Sequence, residues 1–300
     1  MQSILLRWLL RALAAAIMCV GAGQAAATGE VTNSAAVLRA RYADLLPQLR
    51  SNQFQRPLFL ESTESTGRLK GEVYALVDHP FAAVSEALSG PAHWCDLLIL
   101  HLNTKYCHSQ TDQVGSVLTV GIGKKIYQEL DDVYLVEFAF LAAPRTTEYF
   151  DVSLNASSGP LSTSDYRILL EAVSLEGGKT FLHLTYSYAY GLVGRVAMQA
   201  YLATTGRGKV GFTPTGKQKG AQPDYIDGVR GVVERNVMRY YLAIDAYLGA
   251  LSIATADRFG KRLQRWFDLT EQYSRQLHEV DRISYLEMKH RELLRMQKSP

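Results

Sequence analysis

Beyond the N-terminal segment, the sequence has no run of about 18 or more apolar residues, the length that marks a membrane-spanning helix. The body of the chain is therefore expected to be soluble. Net charge is also small. The formal value is +3, and loss of residues 1–27, which carry Arg7 and Arg11 but no acid, would leave +1. A near-neutral chain excludes sequence-independent nucleic-acid binding, which depends on neutralising many phosphates. Catalytic signatures are absent too. There is no hydrolase nucleophile elbow, histidine zinc motif, dinucleotide fingerprint or phosphate-binding P-loop. No repeat and no low-complexity segment interrupts the chain.

What is present begins with an address. Arg7 and Arg11 precede an apolar run from Ala12 to Gly23, and Ala25-Ala26-Ala27 offers a small-residue cleavage site. This is the layout of a secretory signal peptide. Met18 before Cys19 does not suit a lipoprotein signal, and an uncleaved anchor is the alternative. Cleavage would place the mature chain in the periplasm, an oxidising space.

Only three cysteines occur, and export would leave Cys95 and Cys107. An even pair in that setting points to a disulfide. Two free buried thiols, or a metal held by His93, Cys95, Cys107 and His108, are the alternatives. Metal fits poorly, because neighbours on a strand point to opposite faces. No metal or cofactor is expected.

Residues 35–50 carry apolar residues at helical spacing, with Pro47 expected to kink or end the helix. "GRLKGEVYALVDHPFAAVSEAL" gives a strand, a turn and a helix, which Asp78 is placed to cap. A short helix follows at Ala92–Leu98. Five strands come next, at Val117–Lys125, Val133–Ala142, Thr146–Leu154, Tyr166–Leu175 and Thr180–Tyr190. The breaks between them are short turns, so neighbours are antiparallel and a parallel doubly wound sheet is excluded. Residues 224–251 form a long helix with Ile226, Val229, Val233, Val237, Tyr240, Ile244, Tyr247 and Leu251 on one apolar stripe. A last helical stretch runs from about Asp257 to Met296.

The predicted fold class is α+β: a curved antiparallel sheet gripping the long helix, with extra helices at both ends. The element order, "GEVYALVDHPFAAVSEAL" and "YIDGVRGVVERNVMRYYLAIDAYL" resemble the START and Bet v 1-like (SRPBCC, helix-grip) superfamily over roughly Phe54 to Leu251. "GFT" and "ERN-MRYYLAIDAYL" are similar to exported bacterial START-like proteins. The resemblance implies a START-like domain at 54–251, between an N-terminal helical segment at 28–53 and a C-terminal amphipathic arm at 252–300. It also implies a cavity that binds a lipid or a sterol-like or hopanoid-like molecule. A cyclase- or lyase-type enzyme using the same cavity, and an envelope interaction protein without a ligand, are the alternatives.

On the strand TFLHLTYSYAY, the face of Leu182, Leu184, Tyr186, Tyr188 and Tyr190 buries more apolar area and is assigned inward. Phe138 and Phe140, with Tyr240, Ile244 and Tyr247 from the helix, are expected to complete the ligand-binding lining, or else simply to pack as core. The basic loop at 205–224 is placed at the cavity mouth through Arg207, Lys209, Phe212 and Lys217. There it could touch anionic headgroups on a membrane surface. Arg230, Glu234, Arg235 and Arg239 read as charge pairs along the helix. His79, His101 and His183 read as isolated structural histidines. The last helix could pack on its own domain, self-associate or meet an envelope partner.

Overall fold

The computed structural model describes residues 34–143, 146–204, 206–219 and 222–298. The expected signal peptide, 1–27, lies outside them. Two units are distinguished, 1–45 and 46–300. A helix, α1, covers residues 34–50. It does not stop at Pro47, since a proline removes only its own bond to the preceding turn. It ends one turn later, where Ser51 N donates to the Pro47 carbonyl at 3.1 Å.

Within 46–300 the order is β1 (Leu58–Ser65), β2 (Arg68–Val77), α2 (Phe81–Leu88), α3 (Pro91–Leu98), β3 (Thr104–Thr111), β4 (Ser116–Ile122), β5 (Tyr134–Ala142), β6 (Tyr149–Ser158), β7 (Thr163–Leu175) and β8 (Lys179–Tyr190). Then come α4 (Leu192–Ala203), the hairpin β9 (Pro214–Lys219) and β10 (Gln222–Tyr225), α5 (Gly228–Leu248), α6 (Thr255–Glu271), α7 (Ser274–Leu277) and α8 (Arg282–Lys298). Among the described residues, eight strands form one antiparallel sheet in the order β1-β2-β8-β7-β6-β5-β4-β3. β1 and β3 are strands that the sequence pattern does not give. "TKYCHSQT" in particular is too polar to read as a strand alone. Asp78 does not cap α2. It is exposed and pairs with Lys179 at 3.6 Å, and α2 begins after Pro80.

Helix α5 packs on β1, β2 and β8. Gly71 on β2 makes this approach possible: a Cβ there would meet the Val233 carbonyl at 3.1 Å and Val237 Cγ1 at 3.0 Å. The same helix also faces residues of β4, β5 and β7 across a cavity. A sheet that meets one helix from both of its ends must bend around it. This is the α+β helix-grip arrangement. Cys95 on α3 is disulfide-bonded to Cys107 on β3, with Cα atoms 5.2 Å apart.

Trp266 on α6 and Tyr285 on α8 are buried and stacked at 5.1 Å. The Trp266 indole donates to the Arg239 carbonyl, and Tyr285 Oη donates to the Leu100 carbonyl at 2.9 Å. The C-terminal helices thus share the core of the sheet and α5.

On the sheet face turned away from α5, His183 sits between Glu171 (2.9 Å) and Glu72 (3.1 Å). It stacks on Tyr74 at 4.2 Å. Burial opposes charge on His183, but hydrogen bonds to the two carboxylates prevail and raise its pKa. Burial likewise opposes charge on Glu72, yet His183 and Lys70 hold its carboxyl down to about 2. The raised histidine gives stability that is complete below its ordinary value and lost as pH rises through the raised one. Glu171 is lowered too, against burial, by its hydrogen bond to His183, and both depressed glutamates give stability that is present above their ordinary value and lost as pH falls, toward about 2 for Glu72. His183→Gln should therefore narrow the stability gap to wild type as pH rises above about 6.5. Urea denaturation across pH measures the wild-type-minus-variant difference, in which other titrating groups cancel. A difference that does not change with pH would contradict a charged His183.

Candidate functional site

Between the sheet and α5 lies a cavity of about 310 Å³. Its walls come from Val120 and Ile122 on β4, Phe138 on β5, Tyr166 and Ile168 on β7, and Tyr186 and Tyr188 on β8. Alternation on each strand sends these side chains to the concave face. An aromatic group forms one wall. Tyr166 and Tyr188 stack at 5.3 Å, Tyr186 lies 5.6 Å from Tyr188, and Tyr240 reaches Tyr186 at 5.2 Å. Burial raises the pKa of Tyr186, Tyr188 and Tyr240, so each is a neutral hydroxyl at neutral pH.

Helix α5 contributes Val232, Arg235, Asn236, Arg239 and Tyr240. These positions follow helical spacing along one face. It is not the apolar stripe singled out from the sequence. Val233, Val237 and Ile244 of that stripe are core residues. The cavity takes the adjoining, more polar face, and Tyr240 sits at the edge between the two.

The predicted lining residues therefore separate. Tyr186, Tyr188, Phe138 and Tyr240 come together at the cavity. Phe140, Ile244 and Tyr247 are buried in the packed core and do not line it. Tyr247 instead lies under the Arg262 guanidinium at 3.8 Å. Tyr190 is half-buried at the end of β8, and its hydroxyl donates to Glu64 at 3.2 Å.

None of the described residues of the loop at 205–224 lines the cavity. Arg207 is exposed. Lys209 donates to the His278 carbonyl and lies 3.9 Å from Glu279. Phe212 is a core residue packed on Phe54 and Tyr273, at 5.7 and 5.6 Å. Lys217 lies on β9, and its side chain falls outside the described residues. The cover is α4, whose Gly194, Ala197, Met198 and Tyr201 face the cavity. Its Leu192, Val193 and Val196 are exposed, beside exposed Leu161. Small residues and a weak apolar stripe hid this helix in the sequence.

Glu234 pins the loop from below. It is fully buried and accepts from Phe212 N (2.6 Å), Thr213 N (3.0 Å), Thr213 Oγ1 (2.7 Å) and Ser62 Oγ (2.7 Å). Ser62 Oγ in turn accepts from Arg230 Nε at 3.1 Å. The expected pairing of Arg230, Glu234, Arg235 and Arg239 along the helix does not occur; each side chain engages other segments or the cavity.

The far end of the cavity is cationic. Lys125, Arg235 and Arg239 line it, and among the described residues no aspartate or glutamate does. Glu279, set behind them, pairs with Lys125 (2.5 Å) and Arg239 (2.7 Å). Tyr201 Oη accepts from Lys125 Nζ at 3.3 Å. Burial would raise the Tyr201 pKa, but Lys125 and Arg235 outweigh it and lower it. His101 also lines this end, stacked on Tyr240 at 4.8 Å. Burial, then the nearby cations, push its pKa well down, so it is neutral.

No known family model matches the chain, and no curated protein does. Solved structures do align with it. Human STARD10 aligns over 49% of this chain and 69% of its own, with 11% identity and a TM-score of 0.33. Human StAR-related lipid transfer protein 5 covers 57% and 90%, with 10% identity and a TM-score of 0.30. Norcoclaurine synthase from Thalictrum flavum covers 50% and 80%, with 16% identity and a TM-score of 0.32.

Proposed function

We propose that this protein binds and carries a hydrophobic molecule in the cavity between its sheet and α5. One observation carries the reading: a space of about 310 Å³ walled by tyrosines and aliphatic side chains. That volume falls at the lower end of the roughly 300–1,000 Å³ usual for ligand pockets. Tyrosines suit such a wall, since the ring packs on a flat guest while the hydroxyl can fix its polar end. The exposed Leu192, Val193 and Val196 on the covering helix support contact with a lipid surface as the guest enters or leaves. We further propose export to the periplasm. The leader pattern at 1–27 supports it, as does the Cys95–Cys107 bond, a kind that persists in oxidising compartments.

Native mass spectrometry of the full chain, purified from its own source, tests the reading. A hydrophobic molecule should travel with the protein and leave on organic extraction. Repeated preparations carrying nothing would tell against it. The lowered Tyr201 phenol beside Lys125 favours a second reading, a cyclase- or lyase-type enzyme with Tyr201 exchanging the proton. The same spectra decide between them. A carrier returns an added guest unchanged, whereas an enzyme returns it with altered mass or structure.

A further inference from the structure

Three buried hydrogen-bond donors at the cationic end of the cavity have no partner among the described residues: Arg235 Nη2, His101 Nε2 and Arg239 Nε. Arg235 is 1% exposed. Its Nη1 donates to the Val210 carbonyl at 3.2 Å, while its Nη2 is buried and bonded to nothing among the described residues. Among the described residues Arg235 makes no ion pair, and Glu279, behind this end of the cavity, is engaged by Lys125 and Arg239. His101 is 2% exposed. Its Nδ1 accepts the Asn103 backbone N–H at 3.1 Å, so in the neutral ring the proton sits on Nε2. That Nε2 is likewise buried without a partner.

Buried polar groups are normally hydrogen-bonded, and each exception calls for an explanation. Here all three exceptions are donors. They line the same cavity, at the end where three cations and no acid form the wall. A wall with surplus positive charge and unfilled donors is complementary to an anion, not to a hydroxyl alone or to an amine. The guanidinium fork matches a carboxylate in particular. Another part of the lining, Phe138, Ile168, Tyr166, Tyr186 and Tyr188, is uncharged and suits an apolar body.

We propose that the cavity selects amphipathic carboxylates, with the carboxylate accepting hydrogen bonds from Arg235 Nη2 and His101 Nε2 and the apolar body lying along the tyrosine wall. This rests on the binding function proposed above and names the chemical class of its ligand. The selectivity is a property of α5 and the α3–β3 connection, since Arg235 and His101 come from those two segments.

The test compares matched pairs on the full chain: dodecanoate with dodecanol, and naphthaleneacetate with naphthaleneethanol. Affinities are read from isothermal titration and from quenching of tyrosine fluorescence. The acid of at least one pair should bind about tenfold or more tightly than its alcohol, the range expected of a charge-assisted hydrogen bond. In Arg235→Gln the acid should lose far more affinity than its alcohol, so that the acid-to-alcohol ratio collapses. His101→Gln, which keeps a donor, should retain most of it; His101→Leu should lose a part. Should Arg235→Gln fail to fold, the wild-type acid-to-alcohol ratio still decides. Equal affinity for acid and alcohol overturns the carboxylate assignment and leaves the cavity function standing. A preference that survives in folded Arg235→Gln overturns the assignment to these donors. Failure of all four probes to bind overturns the binding function itself.

Discussion

Glu234→Leu should lower stability by about 3–5 kcal/mol, because it strands several buried donors at once. The carboxylate receives two backbone amides, a threonine hydroxyl and a serine hydroxyl, and no water reaches it. Leucine offers none of these groups an acceptor. Nor can the loop easily move away. Gly211 N donates to the Ile226 carbonyl at 2.6 Å, and a Cβ on Gly211 would fall 3.0 Å from the Gly231 Cα. The backbone is therefore wedged against the start of α5. Phe212 follows immediately and is fixed between Phe54 and Tyr273. Glu234→Gln keeps the shape and one acceptor oxygen but turns an amide toward donors. Its loss should be smaller, about 2–3 kcal/mol. Urea denaturation gives the global figures. Hydrogen exchange gives the local one: protection at Phe212 N and Thr213 N should fall before that of the sheet. Wild-type stability in Glu234→Leu, or amides that stay protected, would show that the contacts at Glu234 do not hold the loop.

This site also marks where the sequence stops being readable. The sheet was legible because alternation is local: Leu182, Leu184, Tyr186 and Tyr188 declare their face within a few residues, and the structure puts all four on the concave side. The long helix was legible for the same reason, and so was the pairing of two cysteines. Glu234 was not. Its donors lie at Ser62, Phe212 and Thr213, and nothing in helical spacing points to them. Arg230, Arg235 and Arg239 suggested neighbour pairs because spacing is all a sequence offers. The cavity face of α5 was missed because it is not the apolar one. Apolar periodicity finds the surface that packs, whereas a cavity wall is set by what the rest of the fold leaves uncovered. His101 illustrates the same limit. An isolated histidine next to Leu102 gives no hint that it will face Tyr240 and Arg239 across 138 residues of chain or more.

The charged C-terminal helix shows this most sharply, and it yields the other large effect. On α8 the sequence pattern gives dense charge around an apolar stripe, yet Lys289 and Glu292 are fully buried, together with Lys105 of β3. Lys289 Nζ donates to the carbonyls of His101 and Thr104 and to Glu292, each at 2.8 Å. Lys105 Nζ lies 3.1 Å from the other Glu292 oxygen. One carboxylate thus serves two ammonium groups away from water. Burial lowers the Lys289 pKa to about 7 despite Glu292, with Lys105 adding to the shift. Burial lowers Lys105 as well. Glu292→Gln removes the negative charge that, among the described residues, favours the protonated form of both lysines, and should cost about 3–5 kcal/mol at neutral pH. The sign of its pH dependence follows from linkage. A lysine depressed in the folded state binds fewer protons there than when unfolded, so stability rises with pH between the two values. Losing Glu292 depresses both lysines further, which adds to the protons released on folding. The deficit of Glu292→Gln relative to wild type should therefore shrink as pH rises from about 6 to 8, through the wild-type Lys289 value of about 7, by up to about 1.4 kcal/mol per pH unit for each additional proton released. Urea denaturation of both proteins at the two pH values measures it. A deficit that stays constant would mean that the lysines are already neutral in the wild type, and that Glu292 acts only as a hydrogen-bond acceptor. Because Lys289 holds the carbonyls on either side of the His101 turn, the same variant should also weaken binding to the cavity. In that way a helix at the end of the chain supports the wall of the site.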